Sequence, residues 1–236
     1  MTTFWEKFGR IVTAYQETYW NNYWKKTNVI YPARPEWYQN ISEILNMSDL
    51  PEQSIMRRYF LVHHKIAFNY SDDAKMAFAF KWCTDNLRYI GDYEKLKKYE
   101  FWQHAYETFI ERTGDCEDGA ILMYHIARML GVPSWKIRLV AQDVIFKGRI
   151  VGHCFLSYLA RGYMKWGYDW YALDWCYFPS RSISNFKNKT VRETVMYNPS
   201  SRPVWWAFNE DGEYAQKSWW LPFKRYKGEI EEITVL

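Results

Sequence analysis

The sequence predicts an α+β fold. Two observations carry that expectation. Apolar residues recur at three- and four-residue steps through the first 130 positions, the period of amphipathic helices. Beyond Gly131, Val132 and Pro133 the period drops to two, the mark of strands. Helices first and strands after point to segregated layers, with the helices on one face of an antiparallel sheet.

Composition narrows the function classes. The 236 residues are 48% hydrophobic and 25% charged, enough to bury a core and exclude wholesale disorder. One residue in five is aromatic, with 14 Trp, 20 Tyr and 14 Phe. The length suits one elaborated domain spanning 1–236. A net charge of +4 without a basic stripe gives no reason to expect nucleic acid. No stretch is long and apolar enough for membrane insertion. Glu6, Lys7 and Arg10 stand where a secretory apolar segment would lie, so a cytoplasmic location is expected. The four cysteines, at 83, 116, 154 and 176, are then expected as free thiols.

The elements follow in order. Residues 4–25 read as an amphipathic helix on Phe4, Phe8, Ile11, Val12, Tyr15 and Tyr19, ended before Pro32 and Pro35. A helix over 53–68 sets Ile55, Tyr59, Val62 and Ile66 on one stripe. Ser71-Asp72-Asp73 starts a third, with Met76, Phe80, Cys83 and Leu87 inward. A short helix is expected over 102–111. The clearest spans 114–131, opened by Gly114-Asp115 and stopped by Gly131. Strands are expected at 136–142, 150–158 and 168–176. A hairpin near 203–208 and 213–219 turns at Glu210-Asp211-Gly212. Trp205-Trp206 and Trp219-Trp220 are expected to pack the tail onto the domain, since adjacent strand residues face opposite ways.

Cys116 lies in the first turn of the clearest helix. Unpaired backbone N–H groups and the helix dipole concentrate positive potential there, which favours a thiolate. A thiolate nucleophile needs a base near neutral pKa, and His153 lies on a following strand. Asp174 lies on the next. Opposing His153 to Asp174 in an antiparallel pair puts the turn in the glycine-containing stretch 160–167 and sets both on one face. The residues therefore permit a Cys116–His153–Asp174 triad. Cys154 points the other way, into the core, and Cys176 shares the face of Asp174. A zinc set of Cys116, His153 and Cys176 lacks CxxC or HxxxH spacing. His125, nine residues beyond Cys116 on the same helix, is too distant to serve its thiol.

The run FWQHAYETFIERTGDCEDGAILMYHIARMLGVPSWKIRLV, with GHCFLSY and YALDW after it, resembles the transglutaminase-like cysteine peptidase superfamily, in particular its bacterial cysteine proteinases. The resemblance covers residues 60–178. It implies a papain-like catalytic core there, flanked by an aromatic-rich helical segment (1–59) and a C-terminal extension (179–236). It also implies a nucleophile at Cys116, a base at His153 and an orienting carboxylate at Asp174. The reaction implied is acyl transfer through a thioester, on a peptide, isopeptide or glutamine carboxamide, with hydrolysis favoured over transamidation. By analogy with papain-like enzymes, Gln103 becomes the oxyanion donor beside the Cys116 backbone N–H. No cofactor is required, but some relatives bind calcium through acids flanking the nucleophile, which match Asp115 and Glu117. The expected partner is a protein or peptide substrate, and the aromatic-rich flanks could hold a further protein. The rival reading is a non-catalytic binding or structural protein on the same scaffold.

Overall fold

The structure is a computed structural model that describes residues 24–27, 44–47, 51–63, 70–98, 100–146, 149–161, 168–176 and 204–216. Five α-helices occur among the described residues: α1 (Pro51–His63), α2 (Asp72–Asn86), α3 (Asp92–Leu96), α4 (Ala105–Glu111) and α5 (Cys116–Met129). Eight strands accompany them: β1 (Trp24–Thr27), β2 (Arg88–Tyr89), β3 (Thr113–Gly114), β4 (Ile137–Phe146), β5 (Arg149–Arg161), β6 (Tyr168–Leu173), β7 (Val204–Asn209) and β8 (Gly212–Gln216). Six of them form one sheet in the order β1-β8-β7-β4-β5-β6, antiparallel throughout. Helices plus an antiparallel sheet make the α+β architecture that the periodicity predicts.

Helix α5 organises the layers. It packs on β4 and β5 and is flanked by α1, α2 and α4. Its interior residues Ala120 to Ala127 are all buried, because three helices and a sheet surround it. It ends where Gly131 takes φ +87°, a left-handed value that glycine adopts without a Cβ penalty. Ser71 caps α2 as predicted, its hydroxyl accepting the Ala74 N–H at 3.2 Å. Met76, Phe80 and Cys83 of α2 are fully buried. The aromatic excess is partly explained here. Phe60, Trp82 and Phe109 pack ring on ring, with centroids 5.0 Å (Phe60–Trp82) and 5.8 Å (Trp82–Phe109) apart.

Several elements depart from expectation. In α1 the outward residues are Ile55 (51% exposed) and Val62 (59% exposed), while Met56 and Phe60 face the core. The predicted stripe is rotated, because both faces of this helix carry apolar residues and periodicity alone cannot choose between them. The described part of the N-terminal region is a strand, β1, pairing with β8, where a helix was expected to reach residue 25. The rest of the 4–25 helix, Ile66 and Trp219-Trp220 lie outside the described residues. Helix α3 and the short parallel ladder of β2 with β3 were not expected, being too short to show a period. Strand β4 continues to Phe146 and pairs with β5 from Phe146↔Arg149 outward. The pairing of β5 with β6 opposes Leu156 to Leu173 and Ser157 to Ala172. That register is two residues away from one opposing His153 to Asp174. A shift of two preserves which face each side chain takes. Among the described residues, no helix is long and apolar enough to cross a membrane.

Candidate active site

Strand β5 presents His153 and the segment leaving β6 presents Asp174, both 3% exposed. Despite the shifted register, His153 Nε2 lies 2.6 Å from Asp174 Oδ2. Diagonal cross-strand neighbours are close enough for side chains of this length to meet. The second carboxylate oxygen, Oδ1, accepts the Cys176 backbone N–H at 3.3 Å and lies 3.6 Å from the Cys176 Sγ. With Nε2 turned to Asp174, any exchange of a proton with a nucleophile would fall to the other ring nitrogen, Nδ1.

The helix that carries Cys116 is tied to this pair through Trp175. Its indole N–H donates to the Cys116 carbonyl at 3.1 Å. Its ring lies close against Gly119, where an added Cβ would sit 2.2 Å from the indole. Glycine is therefore required there for close approach, and the α5 start is fixed against the residue next to Asp174. Cys116 is half-buried, near enough to Cys176 and Cys154 for their charges to act on it.

The first turn of α5 is a dense acidic and polar knot. Asp118 Oδ1 accepts the Gln103 N–H at 2.7 Å, and its Oδ2 accepts the Asp115 N–H at 3.2 Å. Gly114 leaves room for this, since a Cβ would come within 2.6 Å of the Asp118 side chain. The Gln103 amide donates to Asp118 Oδ2 and to the Thr113 carbonyl, the latter at 3.2 Å, while its Oε1 accepts from Lys95 Nζ at 2.8 Å. Both amide hydrogens are thus engaged and the side chain is buried. Gln103, expected as an oxyanion donor, braces the approach to α5, with both amide hydrogens directed at protein acceptors.

The thiol itself also differs from expectation. Cys116 donates its S–H to Glu117 Oε2 at 3.0 Å. Burial, and then the charges of Asp115, Cys176 and Cys154, push its pKa well above the ordinary thiol value. The positive potential at the helix start is outweighed, because the flanking residues that cap the helix are acids. Those acids are themselves shifted upward. Burial raises Asp115 to about 8 and Asp118 to about 6, and burial with the charges of Cys116 and Asp115 pushes Glu117 well above the carboxylate range. Asp92, buried nearby, is likewise raised to about 7 by burial and by Asp118.

Asp115 Oδ1 and Glu117 Oε1 are buried and receive no hydrogen bond. Asp115, Cys116 and Glu117 gather their donor atoms within 4.8 Å of one another. A half-buried and a buried carboxylate, each with a buried oxygen lacking a donor, fit a hard divalent cation such as calcium. Asp118 is less suited, since both its oxygens already accept backbone or amide hydrogens.

The remaining residues fall as the sequence suggests. Cys83 and Cys154 are buried, and all four cysteines are free thiols. His125 is buried on the Ile44 carbonyl at 3.1 Å, and burial lowers it to about 4. Trp175 was missed as a site residue; the close glycine at 119, one helical turn after Cys116, was the available signal.

Helices packed on an antiparallel sheet, with Cys116 at a helix start and a buried His153–Asp174 pair on the sheet side, make an α+β architecture. Residues 63–174 match the transglutaminase-like superfamily core, so the chain carries a transglutaminase-like core over that span. No curated protein sequence matches the chain. Among solved structures, LapG of Legionella pneumophila is similar at 16% identity, covering 76% of this chain and 90% of that one, with a TM-score of 0.46. Its calcium-bound form gives 17%, 76%, 90% and 0.47. A candidate cysteine protease of Cytophaga hutchinsonii gives 19% identity over 56% of this chain and 40% of that one, with a TM-score of 0.37. These likenesses concern the path of the chain and do not reach its chemistry.

Proposed function

We propose that the protein is a transglutaminase-like cysteine hydrolase or acyltransferase with Cys116 as nucleophile, His153 as base and Asp174 as the group that orients the imidazole. The observation that carries this reading is the buried His153–Asp174 hydrogen bond beside the start of the Cys116 helix. Asp174 holds Nε2 and stabilises the imidazolium, so proton transfer with the thiol falls to Nδ1. Cys116 Sγ attacks an acyl carbonyl, and the proton reaches the leaving amine through His153. A thioester remains, which water cleaves. The Cys116 backbone N–H is the oxyanion donor in this scheme. A peptide or isopeptide is the favoured substrate, with hydrolysis ahead of transamidation.

The described state is a resting one, with the thiol proton directed at Glu117. Asp115 and Glu117 would hold calcium, whose positive charge supplies what the acidic flank otherwise withholds from a thiolate. His153 is the base that would take the thiol proton when Glu117 does not accept it. The same resting geometry is what a binding protein without turnover would show, which keeps that rival in view.

Alkylation with iodoacetamide, followed by peptide mass spectrometry, separates the two. With calcium, Cys116 is expected to label much faster than the half-buried Cys176, and His153→Ala should remove the difference. Cys116→Ala should abolish cleavage of a library peptide while leaving the circular dichroism unchanged. If Cys116 labels no faster than Cys176 with or without calcium, the catalytic reading fails.

A further inference from the structure

We propose that His153, Asp174 and Cys176 form a zinc site whose occupation takes the imidazole out of service, leaving Cys116 outside the coordination shell. The inhibitory consequence rests on the catalytic reading above; the binding itself does not.

The geometry is close to that of a coordination shell. One donor atom from each of the three residues lies within 4.8 Å of the other two. Tetrahedral zinc with ligands at about 2.0–2.3 Å separates neighbouring donors by roughly 3.5 Å. Asp174 Oδ1 and Cys176 Sγ are already 3.6 Å apart. The His153 Nε2 to Asp174 Oδ2 contact, 2.6 Å, must open by about an ångström, within reach of a side-chain rotation. The donor types are imidazole, carboxylate and thiol, a set that suits zinc and disfavours calcium or magnesium.

The frame is rigid. Trp175, between Asp174 and Cys176, is wedged against Gly119 and bonded to the Cys116 carbonyl. Leu173 is paired with Leu156 in the sheet. Two ligands are buried, which gives the low-dielectric setting that strengthens coordination. Cys176 is only half-buried and provides the way in. This set differs from one built on the nucleophile, because the ion would lie on the Nε2 side of the ring and the nucleophile is served from Nδ1.

The step balances simply. Cys176 gives its thiol proton to solvent, and the thiolate sulfur binds the ion. The Nε2 proton moves to Nδ1 as the ring changes tautomer, and the freed Nε2 lone pair binds. One Asp174 oxygen is the third ligand and water the fourth. One proton is released per zinc, and a ring protonated on Nδ1 can no longer accept from a thiol.

The test is a zinc titration of the full chain against a chromogenic chelator, with proton release measured in weak buffer. One zinc per chain and about one proton are expected. Cys116→Ala should bind zinc as the parent does, whether or not the protein proves to be an enzyme. Cys176→Ser and His153→Gln should weaken binding by at least about tenfold. Zinc protection of Cys176 from iodoacetamide in the unaltered chain, read by mass spectrometry, gives the same answer if a variant fails to fold. Absence of stoichiometric zinc, or binding lost in Cys116→Ala and kept in Cys176→Ser, overturns the proposal.

Discussion

Asp174 and Glu117 are equally hidden, each 3% exposed, and both belong to the surroundings of Cys116. Their company differs. Asp174 faces an imidazole, a backbone N–H and a thiol, so both its oxygens have partners. Glu117 faces a thiol and another acid, and one of its oxygens has no donor. Burial of the same depth therefore goes with a fully partnered carboxylate in one place and with a carboxyl pushed well above its ordinary range in the other. Partners, more than depth, decide what a buried carboxylate can do.

The largest expected effect tests the donor-rich side. Asp174→Asn keeps the size but leaves the ring in the wrong tautomer, and turnover of a library peptide should fall by roughly 10³- to 10⁴-fold. A loss of less than about tenfold would break the comparison, since Asp174 would then be no more engaged than Glu117.

Next comes the joint between the two sides. Gly119→Ala drives a methyl group into the Trp175 ring and should lower stability by about 3 kcal/mol, at the upper end for overpacking. Urea unfolding measures it. Gly91→Ala, with nothing within 4 Å of the added Cβ, is the control.

Glu117→Gln sharpens the donor-poor side. The hydrogen bond between Glu117 and the Cys116 thiol favours ionisation of the sulfur, so weakening it should slow metal-free alkylation at about pH 8 by up to about tenfold. Any stimulation by calcium should disappear in the same variant. An unchanged rate would mean that burial alone holds the thiol protonated.

The smallest effect is a slope. Asp115 at about 8 and Asp92 at about 7 lie above the ordinary carboxylate value, so the native state keeps protons that the unfolded chain has lost. Between about pH 4 and about pH 8 stability should therefore fall as pH rises, the reverse of an ion-paired carboxylate. Urea midpoints with a chelator present should drop across that range. Asp115→Asn should flatten the trend.

Much of this was legible in the chain. The α+β class and the helix through Ala120 to Ala127 followed from periodicity and from Ser71, Gly131 and the Gly-Asp start. The faces of His153 and Asp174 survived a wrong register because side chains alternate with period two. The rotation of α1 was not legible, since Ile55 and Met56 are equally apolar to a pattern. Nor was the fate of Gln103, which depends on Asp118 and Thr113 arriving from other segments.

Local preferences thus settled on their own where helices and strands form and which residue types could supply acyl-transfer chemistry. They act between near neighbours in the chain, so the order of residues suffices to read them. Whether a thiol is ionised, which carboxylate has donors, and how closely Trp175 meets Gly119 arise between groups far apart in sequence. Charge and desolvation depend on distances in space, and only the packed tertiary structure assigns those.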